Sequence, residues 1–160
     1  PEQEQGIDAY LGPLKKSCMT KTDGWWTYEY CHGKYLRQYH ATEGRVDVDF
    51  HLGFYDADAT AALVGGGGPA RVPPEALPGS VHMFTNGTDC DLTGKAREAQ
   101  IMLTCDKDHP TSHIASIREP ATCSYIVTVA LHSLCAHPHF RQQEERIMGI
   151  ACTPLPAAAA

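Results

Sequence analysis

Seven cysteines lie in a chain of 160 residues: Cys18, Cys31, Cys90, Cys105, Cys123, Cys135 and Cys152. No two are separated by just two residues, so the paired knuckles of structural zinc sites and the thioredoxin redox motif are both missing. Such a count in one domain's length of chain predicts an exported, oxidised protein with three disulfides and one odd cysteine. Six cysteines allow many connectivities, and spacing alone does not choose among them. Asn86-Gly87-Thr88 is an N-glycosylation sequon in a turn-like stretch, and it points to the same secretory compartment.

Charge and hydropathy remove other classes. Thirteen basic against nineteen acidic residues leave a formal charge of −6, and there is no basic run. Nucleic-acid and anionic-membrane binding are therefore disfavoured. No apolar run approaches the roughly 20 residues a transmembrane helix needs. The chain opens PEQEQG rather than with a basic-then-apolar leader, which reads as a signal peptide removed or never included. The terminal Ala157–Ala160 run reads as low-complexity tail.

The remainder reads as short strands divided by turn residues. Trp25–Tyr30 and Tyr35–Tyr39 flank Cys31-His32-Gly33 as a hairpin. Val46, Val48 and Phe50 alternate with Asp47 and Asp49, the period of a half-buried strand. Ser80–Thr85, Ala99–Cys105, Ile114–Ile117 and the β-branched Ser124–Leu131 add four more strands, while Asp58–Val64 alone reads as helix. This pattern predicts an all-β sandwich or flattened barrel. Glycine and proline dominate residues 65–80, which read as a surface loop.

Catalytic and metal chemistry find little support. There is no GxSxG elbow, and cysteines committed to disulfides cannot act as nucleophiles. His137-Pro138-His139 has no carboxylate nearby and reads as a surface pair rather than a metal site. Glu119-Pro120 before a cysteine resembles the calcium-lectin element, but Ala121 and Thr122 supply none of the extra oxygen ligands calcium requires. Neither an enzyme, a cofactor nor a metal is expected.

Two features suggest sugar recognition instead. Trp25 and Trp26 occupy consecutive positions, hence opposite faces of a strand, so one indole faces water or a partner. Indoles stack on the apolar C–H faces of sugars. Arg97 shares the parity of Ala99, Ile101, Leu103 and Cys105, which places it at the mouth of an inward-facing row. Tyr125 shares a face with Cys123 by the same rule. Arg97 is a donor fork, Gln38 donates and accepts, Glu119 accepts and Tyr125 does either, a mixed set suited to adjacent pyranose hydroxyls.

In order along the chain, Cys18-x12-Cys31 around WWTYEYCHGKYLRQYH, then NGTDCDLTGKARE, then REPATCSY resemble the mannose 6-phosphate receptor homology (MRH) domain. The Trp pair and the sequon beside Cys90 are most similar to its osteosarcoma-nine/erlectin branch of endoplasmic reticulum lectins. The resemblance implies a flattened β-barrel of two antiparallel sheets spanning 18–136, with an N-terminal extension at 1–17 and a tail at 137–160. It implies the pairings Cys18–Cys31, Cys90–Cys123 and Cys105–Cys135. It implies that Gln38 and Arg97 hold the axial 2-hydroxyl of mannose, that Glu119 and Tyr125 hold its neighbours, and that Trp25 and Trp26 contact the next mannose. The implied activity is binding of α1,6-linked mannose on trimmed high-mannose N-glycans in the endoplasmic reticulum lumen. Misfolded glycoproteins so selected would pass to degradation through a SEL1L/Hrd3-type adaptor of the membrane ubiquitin-ligase complex. The rival readings are a glucosidase II β-subunit-type glycan-binding module and a non-lectin, disulfide-stapled interaction domain.

Overall fold

The structure, a computed structural model, describes residues 6–64, 72–73 and 76–141. The glycine run of the 65–80 loop, Cys152 and the alanine tail lie outside the described residues. Eight strands follow a short helix α1 (Gly12–Lys16): β1 (Met19–Asp23), β2 (Trp26–Cys31), β3 (Tyr35–Thr42), β4 (Arg45–Tyr55), β5 (Val81–Thr85), β6 (Glu98–Cys105), β7 (His113–Ala121) and β8 (Ser124–Leu131). Helix α2 (Ala57–Val64) joins β4 to β5.

The strands form one continuous sheet in the order β1-β2-β3-β4-β5-β6-β8-β7. Its two edge strands, β1 and β7, meet, so the sheet is a nearly closed, flattened barrel. The all-β barrel expected from the sequence is therefore present, as a single hydrogen-bonded sheet. One pairing, β6 with β8, is parallel; the others are antiparallel. The parallel pairing arises because β7 adds outside β8, leaving β8 to lie directly against β6.

Alternation in sequence becomes alternation in burial. Tyr125, Val127, Val129 and Leu131 of β8 face inward, as do Ala99, Ile101 and Leu103 of β6. Tyr30, Leu36, Leu52 and Phe84 complete a core with almost no exposed surface. Gly53 is required where β4 passes β5, because a Cβ there would stand 2.5 Å from the Phe84 carbonyl carbon.

The segment ahead of Cys18 belongs to this core. Ile7, Leu11 and Leu14 are buried in it, and Tyr10 packs its ring 5.0 Å from that of His137. His137 is 6% exposed, which corrects its reading as a surface residue; its Nδ1 accepts the His139 N–H at 3.1 Å. Ser133 donates to the Tyr10 carbonyl at 2.8 Å. Both ends of the described chain thus close the same end of the barrel.

Three disulfides fasten the framework: Cys18–Cys31, Cys90–Cys123 and Cys105–Cys135. The first ties the entry of β1 to the end of β2. The second ties the loop after β5 to the β7–β8 turn, and the third ties the end of β6 to the segment after β8. No helix among the described residues is long and apolar enough to cross a membrane.

Candidate functional site

Arg97 stands immediately before β6, and the backbone holds it from both sides. Gly87 N–H donates to the Arg97 carbonyl at 2.9 Å, and Arg97 N–H donates to the Thr88 carbonyl at 3.1 Å. A Cβ on Gly87 would collide with the His51 carbonyl, so the middle residue of the sequon must be glycine for this approach. The side chain is equally constrained. Nη1 donates to the carbonyls of Asp89 (2.7 Å) and Thr88 (3.1 Å), and the guanidinium lies 4.2 Å over the Phe50 ring.

With Nη1 committed, Arg97 Nε is buried and has no hydrogen-bond partner. An unsatisfied buried donor costs about 1–3 kcal/mol, so it is retained only where something else compensates. The guanidinium lies beside the Tyr125 hydroxyl and opposes the effect of burial, which pushes that phenol upward; Glu119 adds to the rise.

Gln38 reaches the same place from β3. In register it sits between Tyr28 of β2 and Phe50 of β4. It is 7% exposed, and its Nε2 donates to the Tyr28 hydroxyl at 3.0 Å. Burial pushes the Tyr28 phenol upward, opposed by the Gln38 bond and reinforced by Asp23, Tyr125 and Glu119. Tyr28 is thus within the electrostatic reach of both Tyr125 and Glu119, and it stays protonated at neutral pH.

Glu119 comes from the end of β7. It is exposed, and its Oε1 accepts the Cys123 N–H at 2.8 Å. Gln38, Glu119 and Tyr125, spread over more than eighty positions of sequence, therefore converge around Tyr28, and Arg97 joins them through Tyr125. The ring presents a fixed cation, an anion, a primary amide and two phenols.

The two indoles are arranged differently from the sequence expectation. Trp25 sits in the β1–β2 turn and not within the strand, so the pair do not point to opposite faces. Their rings meet edge to face at 4.7 Å. Trp25 is 53% exposed and stacks flat on His40, with centroids 3.6 Å apart and planes 3° from parallel. Trp26 is half-buried against the core and tilts onto Phe50 at 5.9 Å. The chain of contacts Trp25–Trp26–Phe50–Arg97 joins the exposed indole to the polar ring. Tyr28, His40 and Phe50 were not singled out from sequence; the signal available for Tyr28 was only its shared parity with Trp26 and Tyr30.

A family model described as glucosidase II beta subunit-like protein matches residues 16–90. The OS-9 homolog of Arabidopsis thaliana is 38% identical over 150 residues, covering 93% of this chain and 52% of that protein. Over most of its length the chain is similar to OS-9 proteins, as members of the mannose 6-phosphate receptor homology family are. Human OS-9 is 34% identical over 145 residues, covering 87% of this chain and 21% of its own length. Endoplasmic reticulum lectin 1 of Xenopus tropicalis is 31% identical over 171 residues, covering 94% and 35%. The chain thus spans about half the length of the plant OS-9 homologs and less of the animal proteins. Among solved structures, the MRH domain of Yos9, complexed with alpha3,alpha6-Man5, superposes with a TM-score of 0.59 at 22% identity. It covers 88% of this chain and 90% of the Yos9 chain, which shows a shared MRH fold.

Proposed function

We propose that this MRH domain is a non-catalytic lectin that binds a terminal mannose of N-glycans in the ring of Gln38, Arg97, Glu119, Tyr125 and Tyr28. The observation that carries the reading is the buried, unpaired Nε of Arg97, in a guanidinium that lies beside the Tyr125 phenol. A sugar hydroxyl would satisfy it, replacing the desolvation cost with a charge-assisted hydrogen bond. One cation and one anion make the ring neutral, which suits an uncharged pyranose.

The exposed face of Trp25 forms a platform for the next residue of the glycan. Through it the domain selects α1,6-linked mannose uncovered by trimming. In the endoplasmic reticulum lumen such selection would commit misfolded glycoproteins to degradation, with delivery through a SEL1L/Hrd3-type adaptor. The similarity to OS-9 proteins and to endoplasmic reticulum lectin 1 supports this setting. Asn86, exposed beside the ring and in a left-handed conformation asparagine tolerates, carries the N-glycan.

A second reading, a glycan-binding module of glucosidase II β type, is favoured by the family-model match over residues 16–90. A glycan array probed with the purified domain separates the readings. Retention on trimmed glycans with exposed α1,6-mannose supports the first. Indifference to that linkage, with co-purification of an α-glucosidase from cells, supports the second.

A further inference from the structure

The loop between β6 and β7 begins beside the Cys105–Cys135 bridge and carries Asp106, His109 and His113. Their potential ligand atoms all lie within 4.8 Å of one another. Asp106 Oδ2 is 2.7 Å from His109 Nδ1 and 3.7 Å from His113 Nε2. A zinc ion bonded at about 2.0–2.1 Å sets tetrahedral ligands roughly 3.3 Å apart. The Asp106–His109 separation must open and the Asp106–His113 separation close by about half an ångström, and the two imidazoles, within 4.8 Å of each other, must draw to the same spacing, movements that these part-exposed side chains can make.

The groups behind two of the three ligands, His113 and Asp106, are already arranged as a metal would require. His113 Nδ1 faces the Thr111 carbonyl at 3.1 Å, and a carbonyl can only accept, so Nδ1 carries the proton. The lone pair is thereby left on Nε2, the atom turned toward Asp106. Asp106 Oδ1 accepts the Asp108 N–H at 2.9 Å, which orients the carboxylate and leaves Oδ2 on the side of the two imidazoles. A histidine donating its far nitrogen to a carbonyl and a carboxylate pinned by an amide are the usual outer partners of zinc ligands.

We propose that Asp106, His109 and His113 form a zinc site, with water in the fourth position. The ion joins the end of β6 to the start of β7 and acts as a structural clamp. It is remote from the glycan ring: Arg97 precedes β6 and this loop follows it, separated by the strand's length of roughly 23 Å at about 3.3 Å per residue. Zinc and glycan binding are therefore independent.

The test is calorimetric titration of tag-free protein with zinc chloride, together with thermal unfolding with zinc and with EDTA. Wild type should bind about one zinc per chain and unfold at higher temperature with zinc, as any ligand of the native state dictates. His113→Ala and Asp106→Asn should weaken binding by at least about ten-fold, because even outer partners of such ligands are worth that much. His109→Ala, at a mostly exposed ring that cannot endanger folding, should abolish the zinc-dependent thermal shift while leaving unfolding in EDTA unchanged. The proposal is overturned if wild type takes up no zinc at 100-fold molar excess, or if His109→Ala and His113→Ala both bind as wild type does.

Discussion

The carboxylate of Glu119 is held by the backbone N–H of Cys123 at 2.8 Å, so a residue of the proposed glycan ring hangs from a disulfide. Cys123 adopts φ 61°, a conformation costly for a residue other than glycine. Three attachments hold it there: the bridge to Cys90, the Glu119 carboxylate, and its own carbonyl, which accepts the Glu98 N–H at 3.3 Å.

This arrangement makes the disulfides unequal in function. Cys90–Cys123 and Cys105–Cys135 close loops of similar length, with separations of 33 and 30 residues. Replacing either pair by serine should cost about 3–4 kcal/mol in the chain-entropy picture. Only the first replacement should also weaken glycan binding by protein that remains folded. Chemical denaturation paired with titration under native conditions separates the two effects; equal affinity in both variants would refute the link.

Arg97→Lys keeps the charge but loses the fork that bonds two carbonyls and leaves Nε for the ligand. Charge-assisted hydrogen bonds contribute about 1.5–3 kcal/mol, so mannose affinity should fall roughly ten- to a hundred-fold. Arg97→Ala should lose as much affinity and also some stability, since it removes the guanidinium from the Phe50 ring and from the carbonyls of Thr88 and Asp89. Normal mannose binding by a folded Arg97→Lys variant would remove the arginine from the site.

Tyr28→Phe deletes the acceptor that orients Gln38 while preserving the buried ring. A neutral hydrogen bond is worth about 0.5–1.5 kcal/mol, so binding should weaken two- to about ten-fold. The loss should be smaller than that of Glu119→Gln. Isothermal titration of the two variants side by side gives the order.

The indoles should divide structure from recognition. Trp25→Ala removes an exposed ring and should leave unfolding unchanged while reducing the preference for α1,6-dimannose over free mannose. Trp26→Ala removes a half-buried ring packed on Phe50 and should cost about 1–3 kcal/mol besides, less than a fully buried tryptophan. Equal losses for mannose and dimannose in the Trp25 variant would show that the ring is no platform.

Much of this is legible in the sequence. The cysteine count announced an oxidised frame, and the alternation in Ser124–Leu131 gave a strand with those same limits. Contacts that depend on register were not legible. Nothing local pairs Tyr28 with Gln38 and Gln38 with Phe50, because cross-strand neighbours are set by how three strands align. Parity failed for Trp25 because strand β2 begins one residue later, and a turn does not obey a period of two. Ile7, Leu11 and Leu14 precede the first cysteine, where motif reading had no purchase, yet the barrel needs them to close its end.

The central claim, that a mannose hydroxyl meets the unpaired Nε of Arg97, is open to direct observation. The Nε–H of a constrained arginine gives its own signal in nitrogen-edited NMR spectra, and Arg97→Lys assigns it by deletion. Titration with α1,6-dimannose should shift that signal in parallel with the Gln38 side-chain amide, saturating along one curve, and EDTA should not alter it. The corresponding α1,6-linked diglucose should leave it in place. Dimannose binding that moves neither signal would contradict the site, and equal shifts with both disaccharides would contradict its choice of mannose.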